Sequence, residues 1–166
     1  MKKKRLIFYY IILMFFCPVF SASALSNGQK NVIIDNCDIV KDSLKNVQKA
    51  DSRARIFLGS HYETVLSKYI MPLNVRLLEN NKSNAGLIEN QKEFSEVKAG
   101  FTADYINYQQ GLEELVAIDC RAEPERFYDK LVSVRTKRGK MVADVANMRK
   151  LINKNINLVK ELAESL

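Results

Sequence analysis

The sequence of 166 residues is poor in the residues from which metal and catalytic sites are built. It contains one histidine, His61, and neither an HExxH nor an ExxH pair, so it gives no support to a histidine-ligated metal site. The 6 glycines do not form a phosphate-binding loop, and no Ser-His-Asp set occurs in a recognisable context. We therefore expect no metal, no cofactor and no catalysis, with an enzyme of unknown class as a minor alternative.

Long apolar runs are absent except near the N-terminus. The sequence MKKKR is followed by an apolar run from Leu6 to Phe20, and then by Ala22 and Ala24 at the spacing of a cleavage site. This order is typical of a secretory signal peptide, and the run is shorter than the roughly 20 residues that a membrane-spanning helix needs. The sequence predicts a cleaved signal peptide over residues 1–24 and a secreted or periplasmic (extracytoplasmic) protein. The alternative is an anchor that stays uncleaved.

Cleavage would remove much of the positive charge. The chain has 26 basic and 19 acidic residues, for a formal charge of +7. The predicted signal peptide holds four of the cations and no acid, so 22 basic residues would remain and the net charge would be +3. We therefore expect no nucleic-acid partner, and membrane contact only through the signal segment before its cleavage.

Two cysteines remain after residue 24, Cys37 and Cys120. An even number of cysteines in an exported protein predicts a disulfide between them. Two reduced, buried thiols are the alternative.

The remainder of the sequence has strong helical periodicity and almost no strand signal. In the last third, apolar residues alternate at spacings of four and three for five heptads, and only Arg138 and Asn155 interrupt them. Two earlier segments have weaker versions of the same pattern, separated by the polar turn at 79–86. The sequence predicts helices over about 35–78, 86–120 and 124–163, within one domain at 35–166 that follows a flexible segment at 25–34.

Long helices joined by short loops must run in alternating directions. We therefore predict an all-α fold, an elongated up-down-up antiparallel three-helix bundle of the coiled-coil type. Cys37 begins the first helix and Cys120 ends the second, so this topology brings the two within disulfide distance, which requires Cα atoms less than about 7 Å apart.

The disulfide also predicts which residues lie at the same level along the bundle. Arg138, in the apolar seam of the last helix, should lie level with Asp51 of the first helix and Tyr108 of the second. A structural polar layer that fixes the register of the helices is the favoured interpretation. A ligand-binding carboxylate–guanidinium site is the alternative.

The neighbouring cations Arg135, Lys137 and Lys140 point to other faces of the same helix. They form either an ordinary solvated surface or a possible docking face for an anionic surface. The function that we expect is a non-catalytic interaction or structural module at the cell envelope or outside the cell, which binds a protein or an envelope component. A periplasmic holdase-type chaperone, which needs an open apolar face, is the alternative.

Overall fold

The computed structural model describes residues 25–165, and this part of the chain consists of helices joined by short turns, without a strand. The predicted signal peptide at 1–24 lies outside the described residues. Five α-helices and one π-helical segment follow one another: α1 at Asn27–Asp35, α2 at Cys37–Thr64, a π-helix at Val65–Ile70, α3 at Met71–Glu79, α4 at Ala85–Ala117 and α5 at Pro124–Glu164. The all-α class is confirmed, and the bounds of the long helices agree with the predicted ones to within a few residues.

The most extensive contact between helices is that of α4 with α5. Pairs of contacting residues show that these two helices run in opposite directions: Lys140 bonds to Asp104 at 2.8 Å, and Lys154 bonds to Glu93 at 2.9 Å. Helix α2 packs on α4, and α1 packs on α5.

The hydrophobic core follows the predicted heptads. On α5, four residues at intervals of seven are buried: Phe127, Val134, Met141 and Met148. The aromatic residues of α4 interleave with them, and Phe94, Phe101 and Tyr108 are nearly inaccessible to solvent. Side chains of this size each remove a large apolar area from water, so α4 forms the centre of the core.

Cys37 and Cys120 lie in disulfide geometry, with Cα atoms 5.7 Å apart. Cys37 is the first residue of α2, as predicted, whereas Cys120 lies just beyond the end of α4. Helix α4 stops at Ala117 because Ile118 is extended, and the Asp119 carboxylate then accepts hydrogen bonds from the backbone of the following turn. The pair holds the start of α2 against the turn between α4 and α5.

Pro72 explains the π-helical segment. Proline has no N–H, and its ring collides with the carbonyl four residues earlier in an α-helix. Just before it, the N–H of Met71 bonds to the carbonyl of Leu66, five residues back, which widens the helix locally. The structure thus accommodates this proline by a change of helix type.

The segment at 25–34 was predicted to be flexible, and the structure places α1 there instead. The Ser26 hydroxyl accepts a hydrogen bond from the backbone N–H of Gln29, whose side chain in turn bonds to the backbone of Ser26. This reciprocal pair is a capping box, which stabilises the first turn of a helix. Lys30 pairs with Glu125 of α5 at 2.7 Å, and Ile33 packs against the core. The apolar pattern of this short helix is too weak to predict it.

Candidate functional site

The structure brings Asp51, Arg138 and Tyr108 together in one hydrogen-bonded layer. Arg138 donates to the two Asp51 carboxylate oxygens, from Nε at 2.7 Å and from Nη2 at 2.9 Å. The Tyr108 hydroxyl donates to Oδ2 of the same carboxylate at 2.6 Å. Three charge-assisted hydrogen bonds from two helices thus converge on a single carboxylate of α2.

The electrostatics of the layer follow from these contacts. The hydrogen bond from Arg138 is the main reason that the pKa of the Asp51 carboxyl lies below its usual value, with a further contribution from Tyr108 and an opposite one from burial. Burial, and then the hydrogen bond to Asp51, raise the pKa of Tyr108, and Asp51 raises the pKa of Arg138. The layer therefore holds one anion, one cation and a neutral phenol.

The position of Arg138 differs from the prediction in one respect. We expected its side chain to lie inside the bundle, but it is 48% exposed, whereas that of Asp51 is 10% exposed. Arg138 reaches the carboxylate from the edge of the core, with its charged end partly in solvent. The sequence did not predict this, because heptad counting gives the level of a residue along the helix but not the direction in which a long side chain leaves it. Three of the roughly four acceptor positions of the carboxylate are occupied by donors from the protein itself, which favours the structural interpretation over a ligand-binding site.

A second charged cluster between α4 and α5 was not predicted. The Asp104 side chain is 14% exposed and accepts from Lys140. Asp144 lies close enough to Asp104 for the two carboxyls to influence each other. Oδ2 of Asp144 is buried and has no hydrogen-bond partner. Burial, and then the neighbouring Asp104, raise the pKa of Asp144. Only the pairing of the two helices reveals this cluster, because Asp104 lies on α4 whereas Lys140 and Asp144 lie one turn apart on α5.

The basic residues proposed as a docking face on α5 are largely used within the protein. Lys140 pairs with Asp104 at 2.8 Å, and Lys137 donates to the backbone carbonyl of Asn107 at 3.3 Å. Arg135 is exposed and has no ion-pair partner in the part of the chain that the structure describes. Of these three cations, Lys140 is paired with an acid of α4, whereas Arg135 and Lys137 have no acidic partner in the described part of the chain.

On the outer face of α2, in contrast, several basic residues form no ion pair within the described part of the chain. Residues 43–62 contain four basic residues and a single acid, Asp51, which is buried in the polar layer. Lys49 and Arg53 are exposed, and neither has an ion-pair partner within residues 25–165. Next to them, Ile56 and Phe57 are 66% and 72% exposed. We call this surface the α2 outer face; it comprises Lys45, Lys49, Arg53, Ile56, Phe57 and His61.

Arg53, Ile56, Phe57 and His61 border one shallow depression on the α2 outer face. Nothing in the sequence alone distinguished it from the basic stretch on α5, which is denser in cations. The distinguishing signal is the pairing of charges between helices: Lys140 and Lys154 of α5 pair with acids of α4, whereas Lys49 and Arg53 of α2 are exposed and have no ion pair among the described residues.

No three side chains of His, Cys, Asp or Glu cluster as metal ligands would within residues 25–165. None of the helices in the same range is long and apolar enough to cross a membrane. Comparisons with protein-family models, curated proteins and solved structures gave no match to this chain.

Proposed function

We propose that the protein is an exported, non-catalytic interaction module that docks on a component of the cell envelope through the α2 outer face. The observation that carries this proposal is the contrast between the helices. Lys140 and Lys154 on α5 are paired with acids of α4, whereas Lys49 and Arg53 on α2 are unpaired in the described part of the chain and lie beside exposed Ile56 and Phe57. A surface that combines unpaired charge with exposed aromatic area is typical of a binding site.

The architecture that we propose for this module is an elongated up-down-up antiparallel three-helix bundle. Support comes from the pairing of residues: Cys37 with Cys120, Asp51 with Tyr108, and Glu63 with Lys98 indicate that α2 and α4 run in opposite directions. Such a bundle leaves the outer side of the 28-residue helix α2 open to solvent, which gives a partner an extended surface.

Export is supported by the order of residues at 1–24 and by the cysteine pair, because disulfides persist in oxidising compartments. The test is the N-terminus and location of the protein in cells that produce it. We expect a protein outside the cytoplasm that begins near Leu25 and contains no free thiol. A cytoplasmic protein with both thiols free would contradict export.

Docking can be tested by a photoreactive amino acid introduced at Phe57, with Ile106 as the matched control. Ile106 lies on α4 and is also an exposed apolar residue, at 49%. We expect a reproducible adduct from position 57 in intact cells and none from position 106. Equal labelling at the two positions, or none at either, would contradict the proposal.

The second candidate function, a holdase, is favoured by helix α3. This helix contains no buried residue, and Met71, Val75 and Leu78 are exposed at successive spacings of four and three, so they share one stripe. A chaperone would use such a stripe to hold apolar segments of unfolded proteins. We expect suppression of aggregation by the wild type and its loss in Val75→Ser/Leu78→Ser if this candidate is correct; a protein that fails to suppress aggregation would exclude it.

A further inference from the structure

The charges and exposed apolar side chains of the α2 outer face indicate the chemical class of its partner. This inference rests on the proposed function. The spacing is regular: one side chain occurs every four residues, so these residues form a ridge that turns by about 40° around the helix axis at each step. The part from Lys45 to Phe57 spans about 120°. The members of this ridge, in order, are Lys41, Lys45, Lys49, Arg53, Phe57 and His61. At a rise of 1.5 Å per residue, the ridge is about 30 Å long.

The charges of the ridge are available to a partner. Lys45 is within 3.3 Å of Asp42, but both side chains are more than half exposed, and exposed pairs of this kind contribute little. Lys49 and Arg53 have no ion pair in the described part of the chain, and the nearby Glu63 is occupied by Lys98. The exposed acid Asp42 lies at one end of the ridge, and between residues 43 and 62 the ridge offers Lys45, Lys49 and Arg53 with no exposed acid among them. This stretch favours an anionic partner.

The apolar part of the same face lies at one end of the line of cations. Ile56 and Phe57 are adjacent in the sequence and project most of their surface into solvent. Placing them in water is unfavourable, and inserting them into an apolar medium beside the cations would remove that cost. The partner therefore combines negative charge with an apolar interior.

We propose that the α2 outer face binds an anionic lipid bilayer peripherally, with Lys45, Lys49 and Arg53 at the headgroups and Ile56 and Phe57 in the interface. Two features favour a lipid surface over an acidic protein. The depression beside Phe57 is shallow, whereas protein partners anchor in well-packed, enclosed pockets. Lys49 and Arg53 are not fixed by any hydrogen bond among the described residues, which suits a laterally mobile layer of headgroups better than one rigid epitope. This differs from the sequence-based expectation that only the N-terminal segment meets a membrane.

The probe for this proposal is a pair of vesicle preparations, one of neutral phosphatidylcholine and one in which a third of the lipid is phosphatidylglycerol. Binding of the mature protein is measured by co-sedimentation at low salt and at about 0.5 M salt. We expect binding to the anionic vesicles only, with a strong decrease at high salt because screening weakens surface electrostatics. Binding to both vesicles alike, or to neither, would overturn the proposal.

Two matched pairs of variants locate the binding face. A basic residue near an anionic membrane contributes about 1 kcal/mol, which is about fivefold in partitioning, so Lys49→Gln/Arg53→Gln should bind about 25-fold more weakly. The control, Arg135→Gln/Lys150→Gln, removes the same charge from exposed positions on α5 and should bind like the wild type. A comparable loss in the control would refute the α2 outer face as the site.

The apolar contribution is tested by Phe57→Ser against Ile106→Ser. Withdrawing a partly inserted aromatic side chain should weaken binding about fivefold, and the Ile106 variant should be unaffected. Adducts to a protein at position 57 in cells, with no binding to vesicles, would overturn the lipid partner and leave the proposed function intact. Circular dichroism of every variant verifies that it is folded.

Discussion

Replacing Arg138 by methionine tests the energetic role of the polar layer. Methionine keeps most of the length and apolar stem of arginine but removes both hydrogen bonds to Asp51, at 2.7 and 2.9 Å. The carboxylate, which is 10% exposed, would then retain only the hydroxyl of Tyr108 as a donor. We expect the free energy of unfolding to decrease, because an ionised carboxylate would remain in the core with too few partners.

The magnitude follows from the exposure of the two partners. Breaking a fully buried ion pair costs about 3–5 kcal/mol, whereas an exposed pair contributes about 0–1 kcal/mol. The Arg138 side chain is 48% exposed, so its removal admits water to the carboxylate and reduces the cost. We expect a loss of about 1–3 kcal/mol at pH 7, measured by urea denaturation.

The dependence on pH separates this explanation from a loss of packing. Because the folded-state pKa of Asp51 is lowered, its stabilising effect is present above the pKa of the unfolded state, about 3.9, and is lost as the pH falls through the folded pKa. The difference in stability between the wild type and Arg138→Met should therefore shrink below pH 4. A difference that stays constant with pH, or a variant as stable as the wild type at pH 7, would refute the reasoning.

Replacing the whole layer gives the complementary measurement. In Asp51→Leu/Tyr108→Phe/Arg138→Met, no polar group is left without a partner, so we expect a stability within about 1 kcal/mol of the wild type. If the layer fixes register, the triple variant should show broader NMR resonances than the wild type despite its stability. Sharp, wild-type-like resonances would contradict a role in register.

Three further predictions concern other parts of the protein. Asp144→Asn should be about 1 kcal/mol more stable than the wild type at pH 7. The folded-state pKa of Asp144 is raised, so ionisation of this carboxyl destabilises the protein as the pH rises above the pKa of the unfolded state. The amide of the variant can also donate a hydrogen bond to Asp104. The gain should vanish near pH 3 in urea titrations, and a gain independent of pH would contradict this explanation. Replacing both cysteines by serine should cost about 4–5 kcal/mol, because their separation of 83 residues closes a long loop; equal denaturation midpoints with and without reductant would disprove the disulfide. Gly139→Ala should raise stability by about 1 kcal/mol, since an added Cβ meets no atom within 4 Å, whereas the control Gly111→Ala should gain nothing because its Cβ would lie 3.3 Å from atoms of α5.

The sequence predicted the features that depend on periodicity and on one long-range constraint. Heptad spacing determines which residues of a long helix turn inward, and the cysteines relate levels on two helices. Together they placed Asp51, Tyr108 and Arg138 at the same level, and the structure joins them by hydrogen bonds.

The sequence did not predict features that depend on which way a side chain points from its helix, or on a few weak contacts that form only in the folded protein. The level of Arg138 was predicted, but its exposed path to the carboxylate was not. Helix α1 depends on a capping box and a few contacts with α5, whose combined effect is invisible without the neighbouring helix. The cluster of Asp104, Lys140 and Asp144 likewise requires knowledge of which faces of α4 and α5 meet.

The same limitation explains why the sequence placed a possible docking face on α5. Basic residues are most closely spaced in the sequence from Arg135 to Lys140. The cations available to a partner, however, are those that form no ion pair within the folded protein. Helix α5 lies against α4, whose Asp104 and Glu93 accept from its lysines. Lys49 and Arg53 of α2 have no such neighbours in the described part of the chain. Unpaired charge beside the exposed Ile56 and Phe57 is therefore what distinguishes the middle of α2, although its sequence is less basic.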